Sequence, residues 1–392
     1  MKVLHFAQSA AGGISSYFDE IAAYQIQQYG SDNVVFLVPK IDIGNFSNVP
    51  TENIRSFDFS SRKALHLLKL AFHVRKIVRE ERPDIVHLHS TFAGFLYRVG
   101  QAFSPLPSRI VYCAHGWSFS REGWFKNKVF SAVERWLSRY SDIIINISKH
   151  ELKVASAAKI EARKQILVVN GVSDTFDGEH DGSRTDDGAL SPPDSEIKLL
   201  FVGRHDPQKG LDILLDAMML LPRDGFRLFV AGAPVISKSR HDHVEALSNV
   251  VFLGAIDRRD VPDLMRKCDC VVMPSRWEGF GLVAIEAMRE RRALIVSDRG
   301  ALPTLVETGL TGFVLEDLTA QCLAKTISSL RKDDLMKMGA AGRDKYLAHF
   351  TAERLNSELD EVYNSVVTQI GSDAILFSNP SFREISSPML ES

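Results

Sequence analysis

The chain has 392 residues, 45% of them apolar and 24% charged, with a formal net charge of −2. That length supports two or three domains with ample cores, and the near-neutral balance gives no expectation of a nucleic-acid partner. No apolar run reaches membrane-spanning length, the opening MKVLHFA is too short for a secretory leader, and four cysteines without a C-x-x-C pair suit a reducing cytoplasm.

The charge is unevenly spread. Residues 1–170 carry 22 basic against 14 acidic side chains, and the remainder 25 against 35. Part of that contrast comes from the acidic stretch 171–196.

In chain order, Val3-Leu-His-Phe6 predicts a first strand that runs into Ala10-Ala-Gly12-Gly13-Ile14 and then an amphipathic helix to about Gln28. The glycine pair does not match G-x-G-x-x-G, so a dinucleotide fingerprint is absent. Strand-like runs recur at 34–38, 84–88, 109–113, 142–147 and 165–169, with helical segments between most of them. Such alternation implies a parallel sheet covered on both faces. Ser148-Lys-His-Glu151 has capping-box spacing and opens a helix. Ligands of these sheets gather at the carboxyl ends of strands, which selects Gly12-Gly13, His89-Ser90 and His115-Gly116 as a rim. His87 and His89 share one face of a strand and suggest a metal with His115; no acidic cluster accompanies them, so the expectation is that no metal is bound.

From 171 to 196 the composition shifts to Gly, Ser, Asp and Pro, an interdomain connection. A second alternating series follows, with strands at 197–202, 227–231, 249–253, 269–273, 293–296 and 312–315 and helices near 210–220, 261–267, 282–290 and 318–330. After Asp333 the chain reads as helical to about Ile370, and residues 371–392 read as a tail. The expected division is therefore a first domain over 1–172, a linker over 173–196, and a second domain over 197–365 that includes the terminal helix. Two α/β halves facing across a cleft follow, with the cleft as the default ligand site.

The densest chemistry lies in Ser275–Met288, SRWEGFGLVAIEAM. Cys270–Met273 predicts a buried strand, Gly279-Phe280-Gly281 a loop, and the apolar run after it a helix. A helix start offers unpaired amides and positive dipole charge to a phosphate. Glu286 then falls in the second turn, where a carboxylate suits the paired hydroxyls of a ribose, while Glu278 stays in the loop. Upstream, Arg204 and Lys209 flank the turn after the strand 197–202, a fork and a point charge placed to meet a diphosphate. Of two basic amphipathic stretches, 62–82 sets its lysines and arginines among leucines and Val74, and 117–139 mixes its own with Trp124, Phe125, Phe130 and Trp136. Both an anionic membrane surface and solvated helix faces over core aromatics fit that pattern.

The ordered set Gly12-Gly13, His115-Gly116, Ser148, Asn170-Gly-Val172, Val202-Gly-Arg204, Lys209-Gly210, Pro274-Ser-x-x-Glu278-Gly-Phe-Gly281 and Glu286-Ala287 resembles the retaining glycosyltransferases of family 4, over about residues 1–370. The resemblance implies a GT-B fold: two Rossmann-like doubly wound domains, an acceptor on the first and a nucleotide-sugar, UDP-linked by family habit, on the second. It implies no bound metal or other cofactor. By motif, Arg204 and Lys209 would neutralise the departing diphosphate, Glu286 would bind the ribose, and Glu278 would hold the donor sugar's hydroxyls beside the amides of Phe280, Gly281 and Leu282. His115 would sit against the sugar and Gly13 would approach the phosphates. The segment Arg299-Gly300-Ala301-Leu302-Pro303-Thr304 departs from the family pattern.

The implied function is transfer to a glycan or lipid-linked acceptor in cell-envelope or exopolysaccharide synthesis, in the cytoplasm or at the inner membrane face. A nucleotide-sugar epimerase, a phosphorylase or a non-catalytic sugar- or membrane-binding module remains the alternative.

Overall fold

The computed structural model describes residues 1–59, 64–120, 124–174, 196–233 and 247–368. The chain divides into two compact units, 1–173 with the chain from Ala352 onward, and 174–351.

The first unit is a seven-stranded sheet built from β1 Val3–Ala7, β2 Val34–Pro39, β3 Ile54–Phe57, β4 Ile85–His89, β5 Arg109–Cys113, β6 Ile143–Asn146 and β7 Gln165–Leu167. Their order is β3-β2-β1-β4-β5-β6-β7, with every neighbouring pair parallel. Helices α1 Gly13–Tyr29, α2 Ala64–Glu81, α3 Thr91–Phe103, α4 Trp124–Leu137 and α5 Lys149–Ala157 link these strands. The inner strands are buried along their whole length, which is why they read as unbroken apolar runs rather than alternating ones. Ser148 caps α5 as expected, its Oγ accepting from the Glu151 amide at 3.1 Å.

The second unit is a six-stranded parallel sheet. It holds β8 Ile197–Val202, β9 Phe226–Ala231, β10 Val250–Gly254, β11 Cys270–Met273, β12 Ala293–Val296 and β13 Gly312–Val314 in the order β10-β9-β8-β11-β12-β13. Its helices are α6 Leu211–Leu220, α7 Val261–Arg266, α8 Leu282–Arg289, α9 Leu302–Leu305, α10 Ala320–Ser328 and α11 Lys332–His349. Leu199, Phe201, Leu214, Met218, Val272 and Ile295 lie in one apolar core.

The expected long terminal helix is two helices, and the second, α12 Ala352–Val367, belongs to the first unit and not to the second. Its buried stripe Leu355, Leu359, Val362, Tyr363 and Val366 follows helical spacing. Polar contacts fix where that stripe docks: Tyr24 and Tyr29 both donate to Asp360, Arg354 donates to the Val169 carbonyl, and Asn356 to that of Glu20. The start of the expected linker is held too. Ser173 bonds Glu20 through its amide and hydroxyl, and Asp174 takes a two-pronged pair from Arg343. Residues 175–195 and the tail 371–392 lie outside the described residues.

The first unit's core is unusual in holding imidazoles. His5, His87 and His89 are fully buried, and the register sets His5 beside His87. On α1 the stripe Phe18, Ile21, Ala22 and Gln25 faces the same layer, so a glutamine at a core position finds a polar partner there. The Tyr363 hydroxyl lies 2.7 Å from His87 Nδ1. Burial pushes His5 down to about 4 and holds His87 and His89 well below the usual imidazole range.

Two outcomes follow. Tyr363→Phe strips His87 of its hydroxyl partner and should lower the first domain's stability by about 1–3 kcal/mol in urea unfolding, with the fold retained. For acid, neutral buried histidines bind fewer protons folded than unfolded between about pH 4 and 6.5, so their contribution is complete above pH 6.5 and lost as pH falls. His5 alone accounts for about 3 kcal/mol of it. Glu151, pushed up to about 7 by burial, runs the other way, its contribution lost as pH rises from 4.5 to 7. Three histidines outweigh one carboxyl, so the urea midpoint should fall between pH 7 and 5. A flat or rising profile would contradict buried neutral imidazoles.

Candidate functional site

Each sheet reverses its strand order beside its first strand, between β1 and β4 and between β8 and β11. Crossovers leave in opposite directions there, and a crevice opens at the strands' carboxyl ends. In the second domain the loop after β8 carries Arg204 and Lys209, and the loop after β11 carries Glu278.

These two loops are bound to each other. The Arg276 amide donates to the Gln208 carbonyl at 2.7 Å, and the Arg276 guanidinium grips Asp212 at 2.8 and 2.6 Å and the Pro207 carbonyl at 2.7 Å. That grip holds the Asp212 carboxyl below its usual range. Gly210 opens α6 in the left-handed region at φ 68°, and a Cβ there would overlap the Pro274 carbonyl. A side chain at 210 would therefore prise the loops apart.

Lys209 Nζ pairs directly with Glu278, and Gln208 Nε2 lies 3.3 Å from the other carboxylate oxygen and 3.2 Å from the Trp277 carbonyl. Glu278 is buried. Two expected site residues, 69 positions apart, thus share one point. Arg204 stays 61% exposed and pairs with Asp206 at 3.0 Å. Both cations of the β8 loop hold an acid partner.

Gly281 is the N-cap of α8 at φ 105°, without a side-chain cap and without an acid in the first turn. Leu282 is its first residue, and Phe280 is buried against Phe350. Glu286, half-buried in the second turn, takes no hydrogen-bond or ion-pair partner among the described residues. The segment after β12 packs under Glu278: the Ala301 amide donates to the Glu278 carbonyl at 3.1 Å, and a Cβ on Gly300, at φ 61°, would overlap that same carbonyl. Gly300 supports Glu278 through the backbone, a role its departure from the family pattern had left open. Gln208, Asp206, Asp212 and Arg276 were missed; only their nearness in sequence to Lys209 and Glu278 gave any signal.

In the first domain Gly12 takes φ 65° and caps α1, whose first residue is Gly13, again without a side-chain cap or a first-turn acid. A Cβ on Gly12 would meet open space. His115 follows β5 at φ 49°, a backbone region that costs a non-glycine residue about 1–3 kcal/mol and collects at functional sites. Its ring stacks on His89 at 5.2 Å and meets the Tyr17 ring edge-on at 5.0 Å. Burial pushes it down to about 4.

The metal set suggested by His87, His89 and His115 is drawn differently. His5, His87 and His89 bring ring nitrogens within 4.8 Å of one another, whereas His115 lies at the edge, bonded to His89. Nitrogens of His5 and His89 bond each other at 3.0 Å, and no carboxylate joins the three to offset a cation's charge.

Residues 11–176 match the model for Glycosyltransferase Family 4 and residues 183–345 that for Glycosyl transferases group 1. Among curated proteins the chain is 31% identical over 329 residues to an uncharacterized 41.2 kDa protein in the cps region of Klebsiella pneumoniae, covering 80% of this chain and 86% of that protein. It is 30% identical over 249 residues to the lipopolysaccharide core biosynthesis mannosyltransferase LpcC of Rhizobium leguminosarum bv. viciae, covering 60% and 68%. Anabaena Alr3699/HepE, solved in complex with UDP, superposes with a TM-score of 0.73 at 20% identity over 93% of this chain and all of that one. The paired parallel sheets are those of the GT-B fold, and the chain belongs to the family 4, group 1 glycosyltransferases.

Proposed function

We propose that the protein is a retaining hexosyltransferase that moves a sugar from a UDP-sugar to a glycan or lipid-linked acceptor in cell-envelope polysaccharide synthesis. The meeting of Lys209 and Glu278 at the ends of β8 and β11 carries the reading. A cation for a diphosphate and a carboxylate for sugar hydroxyls stand within one contact, beside an uncapped helix start. The UDP bound by HepE supports the choice of nucleotide, and the lipopolysaccharide role of LpcC the choice of acceptor.

On donor binding Lys209 exchanges Glu278 for a phosphate oxygen, and Glu278 turns to the sugar's hydroxyls. Arg204 adds a second positive charge, and the backbone at Phe280, Gly281 and Leu282 presents amides to the diphosphate. Gly13 leaves the α1 start open to an anion. Glu286, unpartnered, takes the ribose hydroxyls. Fixed cations and helix ends stabilise the leaving group without a resident metal. The departing phosphate oxygen, on the face that the acceptor attacks, receives the acceptor's proton, so configuration is retained. His115, at the carboxyl end of β5, meets a sugar hydroxyl.

A peripheral membrane contact rests on a separate observation. Among the described residues no helix is long and apolar enough to cross a membrane. Yet Leu68 and Phe72 on α2, Phe95 and Phe103 on α3, and Phe130 and Trp136 on α4 are exposed, Phe72 at 72% and Phe103 at 84%. Lys69, Lys76 and Arg79 on α2 and Lys128 and Arg135 on α4 accompany them. Leu70, Val74 and Val78 of α2 face the core, as do Trp117 and Phe119; the side chains of Trp124 and Phe125 lie outside the described residues. An anionic bilayer matches cations beside exposed aromatics.

A panel of nucleotide-sugars, with products resolved by mass and anomeric configuration, tests the activity. Arg204→Ala and Lys209→Ala should each lower kcat about a hundredfold or more, the first at unchanged unfolding midpoint and the second with a lowered midpoint but the fold retained, since it strands Glu278, and Glu286→Gln should raise the donor KM about tenfold with kcat nearly kept. An epimer formed from donor alone, or sugar phosphate formed from glucan and phosphate, would replace transferase by the rival activities. Sedimentation with phosphatidylglycerol vesicles at low salt should recover the protein, and Phe72→Ser with Phe103→Ser should release it; recovery equal on neutral vesicles would end the anionic-surface reading.

A further inference from the structure

His115 is the last ring of a buried line. Its Nε2 lies 2.9 Å from His89 Nδ1, His89 Nε2 lies 3.0 Å from His5 Nδ1, and His5 Nε2 lies 2.7 Å from Gln25 Oε1. A neutral imidazole donates from one ring nitrogen and accepts at the other. An amide oxygen only accepts, so His5 carries its proton on Nε2 and accepts at Nδ1. His89 must then donate from Nε2 and accept at Nδ1, and His115 must donate from Nε2. Every link fixes the next, and the last one leaves His115 Nδ1 without a proton.

The surroundings keep the line uncharged. His5 and His89 are fully buried among Phe18, Phe36, Tyr17 and His87, and Gln25 at the far end is neutral. A proton added to any ring would put a charge in the core with no carboxylate in the line to balance it.

We infer that His89 and His5 are positioning residues that lock His115 as the neutral Nε2–H tautomer, so that its Nδ1 presents a lone pair to a hydroxyl of the bound sugar. This rests on the reading that His115 meets a sugar hydroxyl. The consequence is a selection by chemistry: an imidazolium or an Nδ1–H ring would donate, and would favour a phosphate oxygen, whereas a bare Nδ1 accepts and favours a hydroxyl. The ring is held before any sugar arrives by its bond to and stack on His89 and by the edge of Tyr17.

Two measurements test this. In the full chain labelled with ¹⁵N-histidine, a long-range ¹H–¹⁵N spectrum at pH 7, with His115 identified by its loss in His115→Asn, should show Nε2 protonated and Nδ1 bare for His5, His89 and His115. The Nδ1–H tautomer or an imidazolium at His115, the reversed polarity that a turned Gln25 amide would impose, or stoichiometric metal in the purified protein overturns the inference. That spectrum needs no substrate, so it decides the matter even if no nucleotide-sugar proves to be a donor. With a donor in hand, His89→Phe should lower kcat about tenfold or more, and His89→Asn, whose side-chain oxygen can still accept from His115, should recover most of it. His87→Asn, in the same core but outside the line, should stay within about twofold. Equal losses in His89→Phe and His87→Asn, or no recovery in a folded His89→Asn, would assign the effect to core damage and overturn the inference.

Discussion

A parallel strand cannot return directly to its neighbour; its chain has to cross over the sheet, and every crossover begins at a carboxyl end. Where two adjacent strands send their crossovers to opposite sides, nothing fills the gap above them. In this chain that happens at β1 beside β4 and at β8 beside β11. The helices α1 and α8 start at those ends, both without side-chain caps, so their unpaired amides face the gaps. Charge and hydrogen-bonding capacity therefore collect at two places before any particular side chain is considered. Side chains then set the chemistry: at the second gap a lysine against a glutamate, at the first an imidazole.

The two domains fill the same frame differently. In the second, the sheet packs on a large apolar cluster, and the buried charges Arg289, Glu290 and Arg343 gather on and beside α8 and α11. Precision there comes from backbone contact, at Gly210 against Pro274, Gly232 against Gly203 and Gly300 against Glu278, each a spot where a Cβ has no room. The first domain instead carries three imidazoles and a glutamine inside the layer. Buried polar groups are costly unless bonded, and α12 meets part of that demand by bringing Tyr363 to His87. The last described helix is thus recruited by the first domain's polar interior as well as by its apolar stripe.

Most strands were legible because buried parallel strands leave continuous apolar runs. The exception, β3, reads Ile-Arg-Ser-Phe at a sheet edge with one buried residue of four, too weak a pattern to stand out. The four-residue α9, with proline in its first turn, was also hidden. The ownership of α12 was not readable, since a helical stripe states that a face is buried without stating against what. The break before it, at Phe350-Thr351, has neither glycine nor proline to announce it. The site divides the same way. Motif spacing located Arg204, Lys209, Glu278 and Glu286, but the pairing of Lys209 with Glu278 depends on β8 and β11 being neighbours, which only the strand order reveals. The line from His115 to Gln25 draws on β5, β4, β1 and α1, and His5 gains its meaning only when β1 is set beside β4.

The two ion pairs of the β8 loop are not equivalent, and the difference bears on which ligand the site admits. Arg204 and Asp206 meet near the surface, where such a pair contributes about 0–1 kcal/mol and separates readily. Lys209 and Glu278 meet with both side chains largely covered. Parting them strands a buried carboxylate unless something replaces the ammonium, and removing one partner of a covered pair costs far more than removing one at the surface. A free diphosphate satisfies Lys209 and leaves Glu278 with Gln208 alone. In the proposed reading a nucleotide-sugar offers an anion to the lysine and hydroxyl donors to the carboxylate in one molecule, so both charges exchange partners together. Selection for the whole donor over its spent diphosphate then resides in the pair itself, and loss of the sugar on transfer returns Lys209 to Glu278.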